Sequence, residues 1–404
     1  MTEPVLENDS IAWRDQQGWL IAARYIIIGV TVFMFLFGCV VILSATSFSL
    51  LQKDLNPLDT MIKQLIFGLV GIIAMSILAL MPRQFYQRFA KLALIITIGL
   101  LYSVQIFGTE YQGNKNWITI GSVQFQPSEF AKLVLIWWLG VRLATVFEDG
   151  NIRKFKYTYF NFGTMFGIGA VIFGVLLGGD LGTAMVFFVF LVAEFYLSGV
   201  QFWSILLILA VVGVVAYFGV TTDEYRTKRF VGIYTDCEGM DVSTSDPCDQ
   251  SRHGVWAVQS GGFAGVGPGA GHEKWWVQEV QKDFIFAVIG EELGFVGAMF
   301  LVLCYLTLFF ALMIVITRNR DIMVKIITGT ILVWISSQTL IYLFVNVGML
   351  PVLGIPLPLI SAGGTSLIAT MMALGVVISF TNPREKRMKQ SKRQVRGIKT
   401  VTAT

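Results

Sequence analysis

The amino-acid sequence predicts an all-α protein that crosses a membrane about ten times. Of its 404 residues, 55% are hydrophobic and only 14% are charged, against about 25% charged residues in soluble domains. The apolar stretches recur along nearly the whole chain, so the membrane part is one body rather than an anchor on a soluble domain. Basic residues gather in alternate connections, which is typical of a multi-pass protein.

Ten apolar runs are interpreted as spanning helices, although several need flanking aromatic and small residues to reach the roughly 20 residues of a perpendicular span. The runs are residues 25–44, 64–81, 92–106, 130–146, 162–177, 184–197, 205–220, 293–317, 326–344 and 367–380. Together they predict a ten-helix membrane domain over residues 25–380.

The distribution of basic residues orients the chain. They follow the second, fourth and eighth spans and fill the end of the sequence, and such loops are cytoplasmic by the positive-inside rule. We therefore expect residues 1–24 and the basic tail 381–404 to be cytoplasmic. The long loop between the seventh and eighth spans, 221–283, is expected outside. Acidic residues before the first span argue against a cleaved signal peptide.

The net charge of +4 is modest, and it indicates membrane topology rather than a nucleic-acid partner. The outer loop nevertheless carries several cations, including Arg226, Arg229 and Lys274. Two interpretations remain open, because such a loop is either simply solvated or meets an anionic ligand outside the membrane.

Cys237 and Cys248 lie within this same outer loop. Outside the membrane two such cysteines are expected to form a disulfide, which would contribute roughly 3 kcal/mol by the chain-entropy model. A metal site that also uses His253 and His272 is the alternative, but the spacing fits no standard zinc pattern. We therefore predict no metal site here.

Residues 261–271 are unusually rich in glycine. A nucleotide site is excluded by context, since no strand precedes the segment and no Gly-Lys-Ser/Thr follows it. Either the glycines let the backbone turn and approach a ligand closely, or they form a flexible loop.

The fourth span opens with a polar turn. Ser128 is a suitable N-cap, and Glu129 suits the positive end of the helix dipole. Lys132 does not suit that end, and it lies three residues from Glu129 on the same face. A structural ion pair and a phosphate-binding lysine are both compatible with this pattern.

Asp283 stands directly before an apolar run. A carboxylate there is costly without a partner or a wet cavity, which makes it a functional candidate. A helix over 284–317 would be about 51 Å long, against a hydrocarbon core of about 30 Å, so Asp283 is expected at the outer surface. Glu291 and Glu292, two turns further on, are expected to pair with Lys132 or with an arginine.

Three more polar residues, Asp180, Gln338 and Asn346, are expected to face the bundle interior and to hydrogen-bond across helices. The segment 351–366 is too rich in proline and glycine to be helical. It is expected to be re-entrant or to line a cavity, because irregular backbone at membrane depth must be covered or wet.

Four motifs, read in chain order, are distinctive. They are Q-P-S-E-F-A-K at 126–132, G-D-L-G-T-A at 179–184, K-D-F-I-F-A-V-I-G-E-E-L-G at 282–294 and G-I-P-L-P-L-I-S-A-G-G-T-S at 354–366. In these motifs the chain resembles the SEDS family, which includes FtsW, RodA and SpoVE. Its closing motif is more similar to an FtsW of actinobacterial type than to a RodA.

The resemblance implies a ten-helix SEDS fold and a peptidoglycan glycosyltransferase. Such an enzyme polymerises lipid II at the outer face of the cytoplasmic membrane and releases undecaprenyl pyrophosphate. It implies that Asp283 is essential, as catalytic base or as a group that orients the acceptor hydroxyl. The implied substrate and pyrophosphate contacts are Glu129, Lys132, Arg229, Lys115, Trp117 and Ser361.

The chain departs from the family pattern in two places: the two arginines usual before Trp117 are absent, and the stretch between Asn346 and Pro351 is a few residues shorter than usual. Lys115 is the candidate substitute, with a divalent cation as a further helper at the pyrophosphate. The implied partners are a class B penicillin-binding protein and, through the basic tail, division proteins or anionic lipid at the septum. The alternatives are a lipid II flippase and a RodA-like polymerase of elongation.

Overall fold

The computed structural model describes residues 4–111, 114–121, 123–148, 162–199, 247–277 and 279–382. The first helices are α1 (Pro4–Gln52), α2 (Asp59–Leu80), α3 (Arg83–Phe107), α4 (Pro127–Glu148), α5 (Phe162–Leu177) and α6 (Leu181–Leu197). The later helices are α7 (Pro247–Ser260), α8 (Val280–Asp283), α9 (Ile285–Arg318), α10 (Ile322–Asn346) and α11 (Gly364–Phe380).

The predicted all-α, multi-pass class is confirmed. Each predicted span lies on one of these helices except 205–220, which falls outside the described residues. Five of the described helices are long and apolar enough to cross a membrane, and three shorter ones are also apolar. Large apolar side chains point outward, such as Leu69 at 60% and Phe310 at 61% exposure, as contact with hydrocarbon requires.

A small sheet between α3 and α4 was not predicted. Its strands are β1 (Thr109–Tyr111), β2 (Asn114–Ile120) and β3 (Val123–Phe125), and β2 pairs antiparallel with both neighbours. The strands β1 and β3 have only three residues each, and the seven residues of β2 do not alternate between apolar and polar, which is the pattern by which strands are predicted. We call the end of the bundle that carries this sheet the predicted outer end.

Small residues set the distance between neighbouring helices. A Cβ on Gly375 of α11 would lie 2.5 Å from the Met75 carbonyl oxygen of α2. A Cβ on Gly71 of α2 would lie 2.6 Å from the Met371 sulfur. Such close backbone approach is how membrane helices gain packing contacts without a hydrophobic driving force.

The helix α9 is broken at Gly294, where φ is 64° and ψ is −162°. The sequence-based length of 51 Å assumed one continuous helix and was wrong in this respect. A short piece, 285–293, follows Asp283, and the spanning piece begins at Phe295. Glycine permits the break because it has no Cβ to oppose a positive φ.

Candidate active site

Asp283 ends α8, and its backbone is held from α10. The Tyr342 hydroxyl donates to the Lys282 carbonyl at 3.3 Å and accepts from the Ile285 amide at 2.8 Å. The Asn346 side-chain amide donates to the Asp283 carbonyl at 3.1 Å. Both α10 side chains are buried. The turn that carries the carboxylate is therefore fixed by hydrogen-bonding groups from one neighbouring helix.

Lys132 of α4 is 1% exposed, and its ammonium has several compensating contacts. The nitrogen lies 2.8 Å from the Glu129 carboxylate, 3.2 Å from the Gln338 Oε1 and 5.1 Å from the Trp334 ring centre. Trp334 Nε1 donates to the same Gln338 oxygen at 2.8 Å. The ion pair that the spacing predicts is thus present, and pairing of this kind offsets the cost of a buried cation.

The irregular segment 347–363, between α10 and α11, connects these two groups. Gln338 Nε2 donates to the Pro356 carbonyl at 2.8 Å. At the other end of the segment the Ala362 amide donates to the Gln281 carbonyl in α8 at 2.9 Å. A small cleft beside Asp283 is lined by Ile341, Tyr342, Val345, Val352, Leu353, Gly354 and Ile355. The buried lysine, through Gln338, and the turn that carries Asp283, through Gln281, are therefore both hydrogen-bonded to this one segment.

Ser361, a predicted substrate contact, lies inside that segment and is 3% exposed. Its hydroxyl oxygen accepts from the Leu357 amide at 3.0 Å, and its carbonyl accepts from Gln64 Nε2 at 3.2 Å. These bonds shape the segment as we expected of irregular backbone at membrane depth. A contact between Ser361 and substrate stays a prediction.

The glycine-rich segment 261–271 closes around the break in α9. The Val266 amide donates to the Glu291 carbonyl at 3.0 Å, before the break, and the Phe295 amide donates to the Gly262 carbonyl at 2.9 Å, after it. These bonds satisfy groups that a helix end leaves unpaired. The segment 261–271 therefore approaches the broken helix closely, an outcome that neither expectation, close approach to a ligand or a flexible loop, had named; we call this segment the collar.

The predicted partner of Glu291 and Glu292 was wrong. Glu292 pairs with Lys274, both being buried, and accepts from the Ser44 hydroxyl at 2.6 Å. Glu291 accepts from the backbone amides of His272 and Glu273 at 2.5 and 2.9 Å. Both carboxylates thus bind residues 272–274 to the broken helix α9. Lys132 instead pairs with Glu129 of its own helix, α4. Long-range partners of this kind leave no trace in local spacing.

Asp180 caps α6, since its Oδ1 accepts from the Thr183 amide at 3.0 Å. Its Oδ2 accepts from Gln126 Nε2 at 2.7 Å and from the Ser128 hydroxyl at 3.3 Å. Ser128 lies within the first turn of α4, so its hydroxyl serves this cross-helix contact. The bond across helices that we predicted for Asp180 is present.

Lys115 and Trp117 lie in β2. The Lys115 ammonium donates to the Gln105 carbonyl at 2.7 Å, and the Trp117 carbonyl accepts from the Thr109 hydroxyl at 3.4 Å. Lys115 thus braces the sheet against the end of α3, whereas the Trp117 bond lies within the sheet, between β2 and β1. Contact with a pyrophosphate remains a prediction for each.

Several predicted residues are not described. Arg229 and Cys237 lie outside the described ranges, so a disulfide to Cys248 of α7 and a cation at position 229 stay predictions. Within the described ranges no group of three or more His, Cys, Asp or Glu could hold a metal ion. A divalent cation at the pyrophosphate stays a prediction.

Sequence reasoning missed Trp334 and Tyr342. With Gln338 and Asn346 they are spaced by four along α10, which places all four on one helix face. We name Trp334, Gln338, Tyr342 and Asn346 the α10 stripe. Polar or amphipathic residues repeated at that spacing in an apolar span were the available signal.

Glu194 was also missed, although a lone acidic residue in an apolar span is visible in the sequence. It is fully buried in α6, and among the described residues neither carboxylate oxygen has a hydrogen-bond partner. It lies near the end of α6 opposite Asp180. A buried carboxylate of this kind costs free energy of folding, which makes Glu194 a candidate functional residue.

The fold and this site define a class: an all-α, multi-pass membrane protein that holds a buried lysine and an acidic turn in one hydrogen-bonded assembly. The FtsW/RodA/SpoVE family model, described as a cell cycle protein, matches residues 24–386. The chain therefore belongs to this family, the SEDS family, as its motifs predicted.

The names of similar proteins agree with this family membership. The chain is 30% identical over 363 residues to a probable peptidoglycan glycosyltransferase FtsW from Mycobacterium tuberculosis, covering 87% of this chain and 66% of the relative. It thus spans slightly less than two thirds of that relative's length. A protein of the same name from Taylorella equigenitalis is 34% identical over 329 residues, covering 78% of this chain and 86% of the relative.

A similar fold occurs in a structure titled as structural coordination of polymerization and crosslinking by a peptidoglycan synthase complex. The TM-score is 0.68 at 22% identity, and the match covers 88% of this chain and 96% of the other. At that identity the likeness shows the fold alone.

Proposed function

We propose that the chain is a peptidoglycan glycosyltransferase that polymerises lipid II at the outer face of the cytoplasmic membrane. The observation that carries the proposal is that Lys132, through Gln338, and the turn that ends at Asp283, through Gln281, are both hydrogen-bonded to the segment 347–363. A glycosyl transfer from a lipid pyrophosphate needs a carboxylate and a cation held together, and family membership supplies the reaction class.

In this mechanism the 4-hydroxyl of the acceptor GlcNAc attacks the anomeric carbon of the lipid-linked donor. A carbon–oxygen bond forms there, the bond from that carbon to pyrophosphate breaks, and undecaprenyl pyrophosphate leaves. Asp283 takes the hydroxyl proton or orients the hydroxyl. Lys132, together with Arg229, stabilises the charge that develops on the departing pyrophosphate. No step is assigned to a divalent cation.

The decisive test compares two carboxylates of one turn. Asp283→Asn should lower lipid II polymerisation by at least about 10²-fold, within the range that general acid–base groups contribute. Glu279→Gln is the matched control, because Glu279 lies just before α8 and its carboxylate forms a partly exposed ion pair with Lys282. Polymerisation is measured with purified chain and labelled lipid II. Near-normal glycan output from Asp283→Asn would remove Asp283 from the chemistry.

The septal role, cytoplasmic termini and partners are parts of the same proposal. Family membership and the similar fold titled as a synthase complex support a class B penicillin-binding protein as partner, with division proteins at the septum. Polymerisation by the chain with and without that transpeptidase tests the dependence. A RodA-like elongation role would instead show as uniform, non-septal localisation.

A lipid II transporter is the second candidate, and Glu194 is the observation that favours it. A route across the membrane needs polar groups beyond the predicted outer end, and Glu194 is a buried carboxylate far from Asp180 along α6. In proteoliposomes, movement of labelled lipid II without glycan elongation would favour this alternative over the polymerase.

A further inference from the structure

The outward face of α7 combines an aromatic ring with polar side chains. Arg252, Trp256 and Gln259 are exposed at helical spacing, and the Arg252 guanidinium lies 5.2 Å from the Trp256 ring centre. On the buried side of the helix, a Cβ on Gly254 would fall 2.5 Å from the Phe284 ring. A face turned toward acyl chains would be apolar, so this face suits an aqueous, polar ligand.

A second exposed tryptophan joins this face through a histidine. His253 Nδ1 lies 2.7 Å from a Glu273 carboxylate oxygen. Its ring stacks on Trp276 at 6.1 Å between centres and meets Trp256 nearly perpendicular at 5.2 Å. Trp256 is 43% and Trp276 58% exposed. The two indoles are thus exposed on the surface of the chain, and a paired imidazole fixes their positions.

We propose that Arg252, His253, Trp256, Gln259 and Trp276, named here the α7 face, bind a saccharide chain. Sugars offer apolar C–H surfaces that pack on aromatic rings, together with hydroxyl and amide groups that hydrogen-bond to charged and amide side chains. Because the proposal rests on the proposed function, the ligand is the growing glycan strand.

The position of the α7 face determines what it would hold. Phe284, which follows Asp283, packs on the buried side of α7. The exposed side of α7 therefore lies about one helix diameter, roughly 10 Å, from Phe284. That distance exceeds one sugar unit. The α7 face therefore retains strand already made, and it governs strand length rather than the rate of bond formation.

The test uses the full chain in phosphatidylethanolamine–phosphatidylglycerol nanodiscs and two measurements. The first is binding of a soluble β-1,4-linked GlcNAc hexamer, and the second is the length distribution of glycan made from lipid II. The variants are Trp256→Ala, Trp276→Ala and their double, with Trp276→Phe to retain a ring. Trp275→Ala is the matched control, because Trp275 is a neighbouring tryptophan, 40% exposed, that stacks on Phe48 of α1 at 4.3 Å.

We expect the double variant to bind the hexamer at least about tenfold more weakly, because two aromatic contacts are lost. Its strands should be shorter, while the rate of the first glycosidic bond and the melting temperature stay unchanged. Trp276→Phe should be intermediate and Trp275→Ala normal.

Two results would overturn the proposal. One is a wild-type chain that does not bind the hexamer, or binds it independently of Trp256 and Trp276. The other is an equal effect of Trp275→Ala, which would assign the tryptophans to anchoring in lipid headgroups. Hexamer binding needs no catalysis, so a wild type that binds the hexamer but makes no glycan would count against the proposed function alone.

Discussion

At the scale of single residues, the buried pair of Glu129 and Lys132 raises the question of what each group does without the other. Both are 1% exposed, so removing one partner leaves an uncompensated charge, whereas removing both charges removes the desolvation cost as well. Variants of this pair can therefore test the stability of the chain and its catalysis separately. The sequence alone was compatible with both a structural and a substrate-binding role for the pair.

Lys132→Ala should destabilise the chain by about 3–5 kcal/mol because Glu129 is left buried and unpaired. The double variant Glu129→Gln/Lys132→Met should recover most of that stability and still fail to polymerise lipid II. Thermal unfolding in detergent and the polymerisation assay check the two halves. Recovery of activity by the double variant would make the pair purely structural.

Tyr342 is tested by removal of one hydroxyl. Tyr342→Phe loses the bonds to the turn around Asp283, at a cost of about 1–2 kcal/mol in stability. We expect the polymerisation rate to drop roughly tenfold, since small misplacements of a catalytic group are costly. Tyr86→Phe is the control, because the Tyr86 hydroxyl also donates to a backbone carbonyl, that of Leu78 at 2.7 Å, away from the site. Equal losses of rate would refute a positioning role.

At the scale of elements, the collar and the break in α9 depend on one another. The segment 261–271 supplies the donors and acceptors that the break leaves unpaired, and its glycines are needed where the two backbones touch. A Cβ on Gly265, at φ +82°, would lie 2.2 Å from the Glu292 carbonyl oxygen. Gly262, at φ +54°, has open space there instead.

Alanine variants of these two glycines distinguish the cost of backbone strain from the cost of steric overlap. Gly262→Ala should cost about 1–2 kcal/mol, the penalty of a positive φ. Gly265→Ala should cost clearly more and displace Glu292, because strain and overlap add. Melting temperatures of the two variants in one detergent make the comparison. Equal melting temperatures would mean that the collar yields readily.

The helices, strands and connecting segments differ in how far the sequence could predict them. Apolar runs and the polar turn at Glu129 are local patterns, so the spans and that ion pair were predictable. The break at Gly294, the Lys274 partner of Glu292 and the contacts of Tyr342 depend on segments far apart in sequence, and no local periodicity encodes them. The small sheet was missed because β1 and β3 have only three residues each and because β2 lacks the alternation of apolar and polar residues.

At the scale of the whole molecule, the described helices form a bundle whose polar assembly and collar lie toward the predicted outer end. The orientation of that bundle in the membrane is inferred from charge in the loops. Exposed positions at the two ends offer a direct check, among them Gln87 at the start of α3 and Pro268 in the collar.

In a cysteine-free background, Pro268→Cys should react with a membrane-impermeant thiol reagent in intact cells. Gln87→Cys should react only after the membrane is permeabilised. The reason is that Arg83, Arg88 and Lys91 surround position 87, and such basic loops remain cytoplasmic. Labelling of Gln87→Cys in intact cells would reverse the proposed topology, together with the face on which polymerisation takes place.

The buried contact among Ser44, Lys274 and Glu292 also has a consequence for biosynthesis. Ser44 and Glu292 are 248 positions apart in the chain. At translation rates of 5–20 residues per second, Ser44 is therefore synthesised roughly 10–50 s before Glu292. During that interval the α1 surface around Ser44 is without its final neighbour. The nascent protein therefore passes through a period in which an insertase or chaperone has an open surface to hold.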